Sequence, residues 1–185
     1  FNEVDDQFAL AYMIKASDKI NLKAIYAAPF FNGKSTSPKD GMCKSYDEIM
    51  RILDIMGRDD LKQVTYRGSE NYMENEESPV DSDAMRDLIE RARGYTSENP
   101  LYVVCIAAIT NVASAIVAAP DIADKIVIVW LGGHDIHNSG GCEEFNMMQD
   151  IAASRVVFSS IAPLVQLPCS GVVSAFKISE PEFNY

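Results

Sequence analysis

The chain has little histidine, little tryptophan and few basic residues. Of its 185 residues two are His and one is Trp, and 16 Lys and Arg stand against 27 Asp and Glu, for a formal net charge of -11. That balance excludes the clustered cations that a nucleic-acid backbone demands, so no nucleic-acid partner is expected. No apolar run approaches the ~18 residues of a membrane span, and no basic leader precedes an apolar segment, so a soluble chain with no membrane partner is expected. Cysteine is sparse and scattered: Cys43, Cys105, Cys142 and Cys169 form no C-x-x-C pair and no disulfide-dense pattern, which points to a reduced, cytoplasmic setting. Cys105, inside an apolar run, reads as a packing residue. The chain also lacks a G-x-S-x-G elbow, a Walker motif and a G-x-G-x-x-G fingerprint. His134 and His137 lie three apart in a Gly-rich loop, a spacing unlike a helical zinc pair.

What is present is enough apolar surface for one core. Apolar residues make up 48% of the chain, and its length suits a single domain. Helical periodicity is expected over residues 5–17, 43–57, 81–93, 111–119 and 149–160. Strands are expected over 21–28, 64–66, 101–108, 126–131 and 164–168, with polar loops at 30–42 and 69–80. Strands that are apolar throughout and alternate with helices predict an α/β fold, with a mainly parallel sheet covered by helices on both faces. In such sheets ligands bind beyond the carboxyl ends of the strands.

Four groups of residues carry candidate chemistry. Glu3, Asp5 and Asp6 precede the apolar pattern Phe8-Ala9-Leu10. Acidic residues at a helix start favour the positive end of its dipole, which is one reading; paired carboxylates that suit a hard cation are the other. Glu144-Phe145-Asn146 places a carboxylate and a carboxamide two residues apart. If the segment is extended, both side chains project to one face and can grip vicinal hydroxyls, with Phe145 turned into the core. Asn32 and Asn138 precede Gly and Ser, where turn chemistry competes with ligand binding. Thr110-Asn111 follows a strand, as a helix cap or as a carbonyl ligand for calcium.

Taken in order, these blocks resemble the inosine-uridine-preferring nucleoside hydrolases. Asn-Glu-Val-Asp-Asp-Gln-Phe-Ala-Leu at 2–10 is similar to the end of that family's Asp-x-Asp…Asp-Asp metal motif. Ala-Ala-Ile-Thr-Asn at 107–111 is similar to Gly-Pro-Leu-Thr-Asn, and Leu-Gly-Gly…Asn…Glu-Phe-Asn…Asp-Ile-Ala-Ala to Met-Gly-Gly…Asn…Glu-Phe-Asn…Asp-Pro-x-Ala. The resemblance implies a single three-layer, Rossmann-like domain over 1–185 and a Ca²⁺-assisted hydrolase that splits ribonucleosides into free base and ribose. It implies Asp6 and the main-chain carbonyl of Thr110 as metal ligands. It implies Asp5, Asn32, Asn138, Glu144 and Asn146 as contacts to the ribose, and a homo-oligomeric assembly.

The sequence also departs from the family pattern. The Asp-x-Asp that supplies a calcium ligand and the general base is expected upstream of Phe1, and the carboxyl-terminal His-Asp is absent, since His134 and His137 both precede Glu144. The chain is therefore expected to be incomplete at both ends and impaired in turnover, with no catalytic base assigned to it. Leu131 stands in for Met at the ribose pocket, Ala107-Ala108 for Gly-Pro, and Ile151 for Pro. The alternatives are a non-catalytic ribose- or carbohydrate-binding protein on the same scaffold, and a structural Rossmann-like domain whose acidic helix start is only a cap.

Overall fold

The structure, a computed structural model, describes residues 3–135, 137, 143–177 and 179–184. Helices α1 (Val4–Lys15), α2 (Pro38–Met56), α3 (Asp59–Lys62), α4 (Asp83–Ala92), α5 (Thr110–Ala118), α6 (Phe145–Gln149), α7 (Ile151–Ser159) and α8 (Glu180–Phe183) alternate with strands β1 (Ile25–Tyr26), β2 (Thr65–Tyr66), β3 (Leu101–Cys105), β4 (Ile126–Leu131) and β5 (Leu164–Leu167). All the named strand pairs are parallel: β1 beside β2 with Ile25 opposite Thr65, and β3-β4-β5 with Leu101 opposite Ile126 and Ile128 opposite Leu164. None of the described helices is long and apolar enough to cross a membrane.

Alternation along the strands sets the layers. Ile25 packs against Ile14, Leu53 and Leu61 among α1, α2 and α3, while its neighbour Tyr26 turns to the opposite face and joins a larger core. That core takes Val103 from β3 and Ile126, Ile128 and Trp130 from β4. It closes with Leu88 of α4, Val112 and Ile116 of α5, and Val157 of α7. Helices thus flank β1 on both faces, the three-layer α/β arrangement expected. Trp130 is fully buried, and its indole Nε1 donates to the carbonyl of Ala107 at 3.0 Å, so burial of that ring leaves no orphaned donor.

One side chain of α5, the helix that follows β3, ties together the carboxyl ends of β1 and β2, the strands of the two-stranded sheet. Asn111 Nδ2 donates to Ala27 O at 2.9 Å, just past β1. Its Oδ1 accepts from Ser69 N at 2.8 Å and Ser69 Oγ at 2.9 Å, just past β2. A buried carboxamide with donor and acceptor both used stabilises this junction and fixes its register.

Three expectations need correction. Helix α2 starts at Pro38, inside the expected 30–42 loop. Ser37 Oγ accepts from Asp40 N at 3.1 Å and Pro occupies the first turn, so a cap overrides the Gly and Pro that read as loop. Gly41 belongs to that helix because a Cβ there would lie 1.9 Å from Phe30 O; glycine lets the helix lie directly against the preceding chain. The 21–28 strand pairs only at Ile25–Tyr26. The expected helix over 149–160 is broken at Asp150, with φ -143° and ψ 90°, into α6 and α7. Asp150 Oδ1 caps α7 through Ala153 N at 2.9 Å. Its Oδ2 accepts from Met73 N at 2.9 Å and Thr110 Oγ1 at 2.7 Å, so one buried carboxylate gathers the 69–80 loop, α5 and α7.

Candidate functional site

Strand β4 ends at Leu131 and the chain turns through Gly132-Gly133. Gly133 has φ +78°, and a Cβ there would meet Met147 Cε at 2.5 Å, so only glycine serves at this turn. Beyond it opens a cavity of about 300 Å³ whose walls include Asp5, Leu131, His134, Glu144, Asn146 and Cys169. The α1 start, the ends of β3 and β4, and the segment after β5 all reach it. It lies at the carboxyl ends of parallel strands, where the loops that follow present their polar groups.

The Glu144-Phe145-Asn146 segment is not extended. Glu144 is the residue before α6, and Phe145 opens that helix. The Glu144 carboxylate is buried and three backbone donors hold it. Oε1 accepts from Asn146 N at 3.0 Å, while Oε2 accepts from Met147 N at 2.9 Å and Gly133 N at 2.7 Å. The physical reason is the helix start: first-turn N–H groups have no partner inside the helix, and a desolvated carboxylate satisfies two of them. Phe145 is half-buried and lines the cavity instead of entering the core. Asn146 is buried and uses its Nδ2 on Leu131 O at 3.0 Å and Ile106 O at 3.3 Å, tying the ends of β4 and β3. Its Oδ1 is then the atom left for the cavity.

Asp5, Glu144 and Asn146 therefore line one cavity, though they are far apart in sequence. Asn32 does not: its Oδ1 accepts from Lys34 N at 2.8 Å and its carbonyl from Ser35 N at 3.1 Å, a turn beyond β1. Asn138 lies outside the described residues. Thr110 is fully buried in the first turn of α5, with its hydroxyl on Asp150.

Asp6 sits on α1 next to Asp5 but does not line the cavity. Desolvation first, and then the negative charges of Asp5 and Glu3, push its carboxyl up to about 7. A cation placed there would reverse that shift. Among the described residues no three His, Cys, Asp or Glu side chains converge as a metal site, so the described residues do not by themselves make up a calcium centre.

The segment 132–138 follows a strand end, where ligands are expected, but zinc spacing and the family pattern give His134 within it no role of its own; the structure makes it a cavity residue. Its Nδ1 lies 3.2 Å from Ser170 Oγ. A second, larger groove of about 760 Å³ runs between the 69–80 loop and α6–α7, lined in part by Tyr72, Glu76, Gln149 and Arg155. Gln149 staples its end, accepting from Phe31 N at 2.7 Å and from the Tyr72 hydroxyl.

Thirty-five solved chains match this one. One is a purine-preferring ribonucleoside hydrolase from Gardnerella vaginalis, 22% identical, with a TM-score of 0.64 over 86% of this chain and 56% of that one. The chain spans little more than half the length of that relative, and at this identity the likeness establishes the fold. No curated protein matches. The family described as inosine-uridine preferring nucleoside hydrolase matches residues 2–181, nearly the whole sequence, and the chain belongs to that family.

Proposed function

We propose that this protein hydrolyses the N-ribosidic bond of ribonucleosides, releasing free base and ribose, and that the cavity at the ends of β3 and β4 holds the sugar. The observation that carries this reading is the convergence of Asp5, Glu144 and Asn146 on one cavity. Breaking the bond between ribose and base builds oxocarbenium character on the sugar. Asp5 supplies a carboxylate that accepts from a ribose hydroxyl and stabilises that positive charge, and Asn146 Oδ1 accepts from a second hydroxyl. Glu144 holds Gly133 and the α6 start in place through its three N–H contacts and adds negative potential. Water completes the reaction by adding to the anomeric carbon while the base leaves with the electron pair of the broken bond and a proton.

Calcium, within this proposal, would be held in part by the Asp6 carboxylate and the main-chain carbonyl of Thr110, with further ligands from outside the described residues, and would supply water activation there. In a longer chain that completes the ligand set, calorimetric titration is expected to show weaker Ca²⁺ binding by Asp6→Asn than by wild type, and equal affinities would remove Asp6 from the set. The assembly is proposed to be a homo-oligomer in the cytoplasm. Turnover by residues 1–185 is expected to be low, since no general base is assigned and Glu144 is committed to backbone donors.

The test is release of reducing sugar from inosine and uridine, beside calorimetric binding of ribose. Asn146→Ala is expected to raise the barrier by about 2–4 kcal/mol, as loss of a transition-state hydrogen bond does. Unchanged kcat and KM in that variant would take Asn146 out of the site. The commitment of Glu144 to helix capping favours a second reading, a ribose-binding protein without catalysis. Saturable ribose binding without sugar release at any calcium concentration would support it.

A further inference from the structure

The walls of the ribose cavity are unbalanced in hydrogen-bonding character. Glu3, Asp5, Glu143 and Glu144 line it with carboxylates, which accept when ionised. Asn146 spends its Nδ2 on Leu131 O and Ile106 O, so it too offers only an acceptor. Leu131, Ile106, Phe145 and Val173 are apolar, and Cys169 carries at best a weak S–H donor. A sugar hydroxyl both donates and accepts, and these described residues leave its accepting lone pairs without a strong side-chain partner. Among the described cavity residues one side chain supplies that partner: the imidazole of His134.

We propose that His134 is a substrate-contacting residue, whose Nε2–H donates a hydrogen bond to a ribose hydroxyl oxygen in this cavity. The proposal rests on the ribose-pocket reading above and deepens it. His134 is half-buried and lines the cavity, and its Nδ1 is engaged by Ser170 Oγ at 3.2 Å. With Nδ1 occupied, Nε2 is the nitrogen left for a ligand. A serine hydroxyl that donates to Nδ1 selects the tautomer carrying its proton on Nε2. Ser170 is thereby a positioning residue.

The anchoring is two-sided. Cys169 N, adjacent to Ser170, donates to Gly133 O at 2.9 Å, adjacent to His134. Gly133 N in turn donates to Glu144 Oε2. The backbone carrying the imidazole and the backbone carrying its serine are thus hydrogen-bonded to each other. That locks the ring by the same contacts that build the cavity, as a preorganised donor requires.

The experiment uses this chain, with D-ribose as the probe. Calorimetry gives affinities, and ¹⁵N correlation spectra of the imidazole give the tautomer; the His134 signals are assigned by their loss in His134→Gln. In wild type the Nε2 resonance is expected to move saturably with ribose and to report the Nε2–H tautomer. His134→Phe should weaken ribose binding by about tenfold, in the range of one hydrogen bond to a polar ligand, while His134→Gln, which keeps an N–H donor, should recover most of that loss. Ser170→Ala should move the Nδ1 resonance and weaken binding by less. Melting curves of each variant separate lost binding from lost folding, and His134→Gln serves if the Phe variant is unstable. If Asp5→Asn and Asn146→Ala weaken binding while His134→Phe binds as wild type, the proposal fails and the pocket reading stands. If ribose binds but ignores Asp5→Asn and Asn146→Ala, the pocket reading itself is wrong. No ribose binding by wild type overturns both.

Discussion

At the scale of single residues, Glu144 shows how a motif can be legible while its geometry is not. Sequence alone marked Glu-Phe-Asn as a carboxylate two residues from a carboxamide, and the family resemblance implied a shared site with Asp5. It did not show that three backbone N–H groups converge on the carboxylate, because those donors come from Gly133 and from a five-residue helix that carries no periodic signal. Asn138, by contrast, stays as the sequence left it. The role found for Glu144 has a measurable consequence. Glu144→Gln keeps the shape but replaces one acceptor oxygen with a donor, which then faces an N–H. The variant is expected to lose about 2–3 kcal/mol in urea unfolding, the cost of an unsatisfied buried donor together with a weakened charged hydrogen bond. A loss under about 0.5 kcal/mol, the ordinary size for a surface substitution, would mean that the cap is replaceable.

At the scale of elements, the pieces with strong periodicity were readable and the pieces fixed by single tertiary contacts were not. Apolar β3 and β4 and the amphipathic α4 follow from pattern. The start of α2, the break at Asp150 and the shortness of β1 follow from a cap, a shared carboxylate and a pairing that only the folded chain supplies. The contact of α1 with α2 is of this second kind. Gln7 Nε2 donates to Glu48 Oε1 at 2.8 Å, and Arg51 Nε donates to Glu48 Oε2 at 2.9 Å, with Glu48 buried. Hydrogen bonding from Arg51 holds the Glu48 carboxyl below its ordinary value of 4.5. A carboxyl with a depressed folded pKa contributes stability that is present above its unfolded value and lost as pH falls through the folded one. Glu48→Gln is therefore expected to cost about 1 kcal/mol at pH 7, kept small by the half-exposed Arg51, with the gap to wild type closing as pH falls below about 4.5. Thermal melts of both proteins across that range check it. A gap that stays constant with pH would assign the loss to shape alone.

At the scale of the whole molecule, the two cores differ in size, and the cavity draws on both. The larger one joins β3, β4, α4, α5 and α7, while the smaller holds Ile14, Leu53 and Leu61 at its buried centre. Leu131, His134, Glu144 and Asn146 belong to the side of the larger core, and Asp5 stands on α1, which rests on the smaller. Local opening follows buried apolar contact, so amides of α1 are expected to exchange faster than those of β4 and α5. Leu53 is fully buried in the small core, and Leu53→Ala should cost about 2–5 kcal/mol there. Its effect should stay largely on one side. Protection in α1 and α2 should fall, protection in β4 should hold, and ribose affinity should drop because the carboxylate of Asp5 is presented less of the time. The drop should vanish when Leu53→Ala is made in an Asp5→Asn background, since that carboxylate is then already gone. Equal loss of protection in β4 and α1 would show instead that the two cores unfold as one unit, and that the acidic wall of the cavity is as stable as its opposite side.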